Sequence, residues 1–303
     1  EIGHGLGGDT SCTAVGTDAL DASLSGSLNN TAIGKDALGA VNHVNADNNV
    51  AVGSNAGDAI TSGSNNTAVG HAALGGTDDG VRNTAVGRGA LLANCSNDNV
   101  SVGYEALNDF TGSNAVAVGS GAADVAVSQT GLTAIGKSAL GAATSGNDNT
   151  AVGHSALDET IDGANNTAVG VAALSADCAD DNTAVGRYAL LNYTGSDAVA
   201  VGSDAADAAT TAVGLTAVGS GAGGALVDQP HNTFVGYASG SVTTGESNTF
   251  VGSNSGLYAD DVDHCIAIGR NAFLGVDGGT TDGDYNIAIG SYTLDAVTSG
   301  ASN

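Results

Sequence analysis

The side chains best suited to chemistry are histidines and cysteines, and their spacing keeps them apart. Cys95 and Cys178 recur at equivalent places 83 residues apart, as do His71 and His154, which predicts separate turns of a repeat. A disulfide needs Cα atoms within about 7 Å, so we expect free, mostly buried thiols and surface histidines. We therefore predict no catalytic and no cofactor-binding residue. The full set is Cys12, Cys95, Cys178, Cys265, His4, His43, His71, His154, His231 and His264.

Acidic loops are the remaining candidate for chemistry, because carboxylate and carbonyl oxygens suit calcium. Examples are Asp78–Asp79, Asp180–Asp181, Asp260–Asp263 and Asp282–Asp284, and none follows the pattern of a known calcium loop. We expect solvated turns here and predict no metal site; calcium is the one cation that these loops would suit.

The overall charge excludes several partners. The chain carries 32 Asp and Glu against six Lys and Arg, a net charge of −26, so it repels nucleic acid and anionic membranes. No stretch approaches the ~18 apolar residues of a membrane helix, so membrane insertion is not expected. Asp is favoured in turns, which explains part of the excess. The near absence of lysine favours a second explanation, a protein adapted to high salt.

A tetrapeptide repeat runs through the whole chain. Thr-Ala-Val-Gly and its variants occur 17 times, about 17 residues apart. A five-repeat block of 83 residues is superimposed on this period, which indicates duplication. The tetrapeptide glycines are 16, 34, 53, 70, 87, 103, 119, 136, 153, 170, 186, 202, 219, 236, 252, 269 and 290.

A unit of this length favours short strands over helices. It is too short for two helices and a turn, and Gly, Thr and Val disfavour helix. The pattern of each copy predicts a short strand, a corner at the glycine, a second short Ala-Leu segment and a polar loop. The predicted fold is therefore an all-β parallel β-solenoid, or β-roll, of about 17 coils of 16–17 residues. We assign residues 1–11 to a lead-in, 12–294 to the solenoid and 295–303 to a tail or truncated repeat.

An asparagine four residues before the glycine occupies 11 of the 17 copies. Stacked at one corner, these side chains would form an amide ladder in which each bonds the next and caps the turn. We predict a structural role for them and no ligand. They are Asn30, Asn49, Asn66, Asn83, Asn99, Asn149, Asn166, Asn182, Asn232, Asn248 and Asn286.

Both faces of the predicted strand are apolar. Thr and Val point one way and Ala the other, and a wet face would carry polar residues in place of Ala. The second layer against this Ala face is either the opposite wall of the same coil or an identical chain. We favour chains associated around a common axis.

The fullest copies, such as Asn66–Leu74 and Asn149–Leu157, read Asn-Thr-Ala-Val-Gly-x-x-Ala-Leu. They resemble the head repeats of trimeric autotransporter adhesins and the similar repeats in tail-fibre proteins of tailed viruses, although the repeats here are longer than those of adhesin heads. The resemblance implies a parallel β-roll, a homotrimer and a surface-exposed fibre that attaches to a host.

These observations together predict a non-enzymatic, extracellular or virion-surface fibre, like the shaft of a viral tail fibre, that attaches to a host surface. Its partners would be itself, as a homotrimer, and a host or cell-surface receptor. The alternatives are a cell-surface adhesin, an extracellular filament subunit or a glycan-binding fibre. In the last case, binding would use the late aromatic residues, which are Phe234, Tyr237, Phe250, Tyr258, Phe273, Tyr285 and Tyr292.

Overall fold

The computed structural model describes residues 2–3, 11–22, 26–277 and 283–296, and it confirms an all-β parallel β-solenoid, of about 16 turns. The described residues contain no helix. The chain divides into two compact units, Glu1–Asn149 and Thr150–Asn303. The predicted lead-in and tail lie mostly outside the described residues, so those boundaries stay predictions.

The described residues of each unit contain nine strands. In the first they are β1 (Ile2–Gly3), β2 (Thr13–Val15), β3 (Thr31–Ile33), β4 (Val50–Val52), β5 (Thr67–Val69), β6 (Thr84–Val86), β7 (Val100–Val102), β8 (Val116–Val118) and β9 (Thr133–Ile135). In the second they are β10 (Thr150–Val152), β11 (Thr167–Val169), β12 (Thr183–Val185), β13 (Val199–Val201), β14 (Thr216–Val218), β15 (Thr233–Val235), β16 (Thr249–Val251), β17 (Ile266–Ile268) and β18 (Ile287–Ile289).

Strand register repeats without a slip inside each unit. Within a unit, β2–β9 and β10–β18 pair in parallel with their sequence neighbours, whereas β1 pairs antiparallel with β2. Thr67 pairs with Thr84 and Val69 with Val86, so like residues stack in columns. A period-two strand keeps its faces only if register is held, and here the same position faces the same side in every coil.

The glycine after each parallel strand forms a corner in a backbone conformation that other residues rarely adopt. Gly103 has φ +145°, and a Cβ there would collide with the carbonyl of Gly119 in the next coil. Beyond the corner, the Ala-Leu segment is a turn wall with alternate residues in the left-handed region, such as Ala72 and Leu74, both at φ 54°. Hydrogen bonds to neighbouring coils hold this wall: Leu74 N–H donates to Ala90 O at 3.0 Å. These bonds offset the strain of a non-glycine left-handed residue.

The central alanine of each strand points into its own coil, which corrects the interchain role favoured above for the Ala face. Ala68 and Ala151 are completely buried within the single chain. Where serine replaces the alanine, Ser101 Oγ donates to Ala106 O on the opposite wall at 2.7 Å. The second layer is therefore the other wall of the same narrow coil, because a coil of small side chains brings its two walls into contact.

Three phenylalanines fill the core of the second unit, where the opposite wall is correspondingly small. Phe234 and Phe250 replace strand alanines, and their rings stack with centroids 5.3 Å apart. The facing wall carries Ser-Gly instead of Ala-Leu, and a Cβ added at Gly240 would lie 2.6 Å from the Phe234 ring. Phe273 contacts Phe250 edge-on at 6.3 Å. Close packing requires this exchange of volume between the walls.

Candidate functional site

The most prominent surface in each unit is the outer face of the strands. Alternation along Thr-Ala-Val buries the centre and turns the flanking residues outward. Every parallel strand presents Thr, Val or Ile at its first position and Val or Ile at its third. Val118 and Val201 are 37% and 36% exposed, and Ile289 is 64% exposed. We call these outward residues of β2–β18 the Thr/Val face; it carries no charged side chain.

The asparagine column lies buried at the entry to each strand and joins consecutive coils. Asn49 Oδ1 accepts the backbone N–H of Asn66 at 3.0 Å, and Asn66 Nδ2 donates to the carbonyl of Gly80 at 2.8 Å. The same pair of contacts recurs at Asn83 and Asn248. Each side chain therefore satisfies backbone groups that would otherwise be buried without a partner.

This contact differs from the amide-to-amide ladder expected from the sequence. The side chains bond mainly to the backbone of the next coil, because the column spacing places a peptide group nearer than the next amide. One direct amide contact, Asn66 Nδ2 to Asn49 Oδ1 at 3.2 Å, accompanies the backbone bonds. All eleven predicted side chains are buried and hydrogen-bonded: Asn30, Asn49, Asn66, Asn83, Asn99, Asn149, Asn166, Asn182, Asn232, Asn248 and Asn286.

The column is interrupted at equivalent places in both units. Ala198 occupies one of these positions, and there the Tyr193 hydroxyl lies 2.9 Å from Ser196 O and 3.1 Å from Ala212 O. It supplies the donor that an asparagine amide would bring. Burial raises the pKa of Tyr193 to about 12, because the phenolate would lose its hydration there.

The four cysteines are buried thiols that are not joined in disulfides, as expected. Cys95 and Cys178 contact Thr77 and Thr160 with Sγ–Oγ1 distances of 3.2 and 3.3 Å, the same environment in two matched coils. Burial raises the pKa of the Cys178 thiol to about 11, and it raises the pKa of Cys95 as well. A thiol held protonated is a poor nucleophile and a poor metal ligand.

The described histidines and acidic loops lie at the surface and do not converge, and Asp282 of the last loop lies outside the described residues. The five described histidines are exposed, and His4 lies outside the described residues. Within the described ranges, no group of three or more His, Cys, Asp or Glu is placed to hold a metal ion. Nor does that part of the chain contain a helix long and apolar enough to cross a membrane.

The late aromatic residues do not form one surface. Phe234, Phe250 and Phe273 are completely buried, so they line no groove for a glycan. Tyr237, Tyr285 and Tyr292 are 64%, 59% and 50% exposed. The core role of Phe234 and Phe250 was detectable in the sequence, because Ser-Gly replaces Ala-Leu five and six residues after each of them.

The charged residues bordering the Thr/Val face were missed by the sequence reasoning. Arg88 bonds Glu105 at 2.9 Å, Arg187 bonds Asp204 at 3.0 Å, and Arg82 bonds Asp98 at 2.6 Å. Each of these ion pairs joins a coil to the one that follows. Aligning the copies on their glycines reveals the pattern, because cations then recur at one position. Comparison with protein-family models, curated proteins and solved structures finds no match.

Proposed function

We propose that the chain is a non-enzymatic structural segment of an extracellular or virion-surface fibre that attaches to a host, assembled as a homotrimer through the Thr/Val face. The observation that carries the proposal is the continuous uncharged face of Thr, Val and Ile on each unit. A parallel sheet is normally covered on both sides. Here the inner side is covered by the opposite wall of the coil, and the outer side is left to a partner.

A second copy of the chain is the partner that best suits this face. Its columns of Thr and Val repeat with a constant period, so an identical face meets it with matching spacing. Exposed apolar patches of this extent mark interaction surfaces. The resemblance to adhesin heads and tail-fibre repeats supports three chains around one axis. A contact between two different edges of the same face closes into a ring when its rotation brings the third chain back to the first.

Stiffness follows from the way the coils are joined. Each coil contacts only its neighbours, as in other solenoids. Glycine corners and turn-wall bonds recur along the coils, and buried asparagines recur in eleven of the 17 copies, so bending would break several bonds together. Such a segment suits a spacer that holds a receptor-binding element away from a surface. The acid-rich composition supports a salt-rich habitat.

A matched pair of variants tests the assembly. Val118 and Val201 are equivalent, and we expect Val118→Lys with Val201→Lys to place charge on the face and yield single chains of 28.9 kDa with native circular dichroism. Val44→Lys alters a loop valine that is 51% exposed, and it should keep the native mass of the assembly. The proposal fails if the unaltered chain has the mass of one chain at every concentration, measured by light scattering after size exclusion. Degradation of a purified host polysaccharide would contradict the non-enzymatic assignment.

A further inference from the structure

Five of the six basic residues occupy one position in the repeat. This position directly follows the strand-end glycine, and we call it the exit position. All five side chains are exposed at the edge of the Thr/Val face where the strands end. They are Lys35, Arg88, Lys137, Arg187 and Arg270.

Carboxylates collect at the opposite edge. The two residues before the asparagine column form what we call the entry pair, at the edge where the strands begin. In the second unit this edge carries six acids and no Lys or Arg among the described residues. In the first it carries three acids and Arg82. The acids are Asp47, Asp98, Asp148, Asp180, Asp181, Asp197, Glu246, Asp263 and Asp284.

The two edges vary together along the chain. Every coil with a basic exit residue is followed by a coil with an acid in its entry pair. The five combinations are Lys35/Asp47, Arg88/Asp98, Lys137/Asp148, Arg187/Asp197 and Arg270/Asp284. Of the eleven other coils that have a following entry pair, three are followed by an acid. This association is the observation that links the two edges, and a contact between the exit edge and the entry edge would explain it.

The contact cannot form inside one chain. At roughly 3.3 Å per residue, the strand and its flanking residues separate the two edges by about 20 Å. The intrachain partners are different residues, since Arg88 bonds Glu105 and Arg187 bonds Asp204. On the entry edge, Asp98 bonds Arg82 of its own chain through both carboxylate oxygens. Among the described residues, neither Lys137 nor Arg270 has a carboxylate within ion-pair distance.

We propose that a second copy of this chain docks in parallel, so that the exit edge of one copy meets the entry edge of its neighbour. This inference rests on the assembly proposed above and specifies its orientation and register. The one-coil offset agrees with the direction of the intrachain pairs, because Arg82, Arg88 and Arg187 each reach a carboxylate in the following coil. An antiparallel copy would bring like edges together. Exposed ion pairs are individually weak, so the contact between the exit edge and the entry edge determines the orientation of the two copies more than their affinity.

Exchanging the charges of Lys137 and Asp148 tests the contact between the exit edge and the entry edge. Lys137→Glu and Asp148→Lys should each weaken association roughly tenfold at the lowest salt concentration at which the native chain assembles, because each places like charges opposite one another between chains. The double variant should return to within about threefold of the native dissociation constant. Asp162→Lys changes an exposed acid on neither edge and should lack this reciprocal effect. Sedimentation equilibrium provides the constants.

The outcomes separate this inference from the proposed assembly. If the native chain assembles but the double variant is no better than the single variants, the edge pairing is wrong and the assembly stands. A native chain that never assembles overturns both proposals.

Crosslinking identifies the pair directly. The chain has two lysines, Lys35 and Lys137, and a zero-length carbodiimide joins an amine only to a carboxylate that it touches. In an equal mixture of ¹⁵N-labelled and unlabelled chains, we expect a mixed-isotope peptide that links Lys137 to Asp148. An assembled sample in which Lys137 couples only to other carboxylates, or to none, would contradict the proposal.

Discussion

Two matched regions, 83 residues apart, differ in the side chains that surround an interruption of the asparagine column. In both regions an alanine, Ala115 or Ala198, replaces the column asparagine. In the second unit, Tyr193 places its hydroxyl within reach of two carbonyls, those of Ser196 and Ala212. In the first unit, Phe110 takes the place of Tyr193, and Gln129 takes the place of Ala212. The phenylalanine has no hydroxyl, and Gln129 is buried with neither amide atom hydrogen-bonded within the described part of the chain.

The difference shows that a buried polar group stabilises the coil only where its geometry meets a partner. The phenol and the glutamine amide each bring a donor to this layer, but only the phenol lies next to an acceptor. An unpaired buried amide is destabilising, whereas a paired one is nearly neutral or favourable. We therefore expect the region around Tyr193 to be more stable locally than the region around Phe110.

The largest effect should come from removing the asparagine that precedes each gap. Asn182→Ala removes the side-chain bonds to Ala179 O and Gly195 O, and Asn99→Ala removes the bond to Gly112 O. Each variant also leaves a buried backbone N–H in the next coil without its acceptor. We expect losses of about 3 kcal/mol in unfolding free energy at both positions. Native-state hydrogen exchange of the two regions measures each loss, and Asn42→Ala, at an exposed loop residue, is the control. Equal exchange in variants and native protein would exclude this role.

Alkaline pH should affect the second region more than the first. The folded state keeps Cys178 protonated up to about pH 11, against an ordinary 9.0, and keeps Tyr193 protonated to about 12. Stability is therefore complete below pH 9 and falls as pH rises through 11, by at most about 1.4 kcal/mol per pH unit per group. Cys95 shares the thiol shift, but Phe110 does not titrate.

Thermal unfolding between pH 8 and 11 tests this difference. We expect the melting temperature of native protein to fall with rising pH, and Cys178→Ala to reduce the fall. A fall that is unchanged in Cys178→Ala would contradict the assignment to this thiol.

Tyr193→Phe converts the second region toward the first. The substitution removes the shared donor to Ser196 O and Ala212 O, so we expect a loss of about 1.5 kcal/mol, localised to coils near residue 193. Local hydrogen exchange should then approach that of the Phe110 region. An unchanged rate would show that these carbonyls need no internal donor.

Gln129→Met should raise the stability of the first region. Methionine keeps the length of the side chain and removes the unpaired amide, so we expect a gain of about 1 kcal/mol. Chemical denaturation measures it. A loss of stability would mean that the amide has a partner in solution, such as a bound water.

Much of this fold was predictable from the period of the sequence. The glycine corners, the strand at each Thr-Ala-Val and the buried asparagines follow from spacing and residue type. Which layer packs against the alanine face was not predictable, because the two faces of the strand are equivalent until the width of the coil is known. The backbone partners of the asparagines and the left-handed Leu74 wall depend on distances between coils, which the sequence of one coil does not contain.

The most direct test of the central claim is the native mass of the unaltered chain by sedimentation, in molar salt and in dilute buffer. A fibre assembled through the Thr/Val face predicts three times the 28.9 kDa of one chain in molar salt, where the net charge of −26 is screened. Dissociation in dilute buffer would agree with adaptation to high salt. A folded single chain in both solutions, at every concentration, would contradict the account.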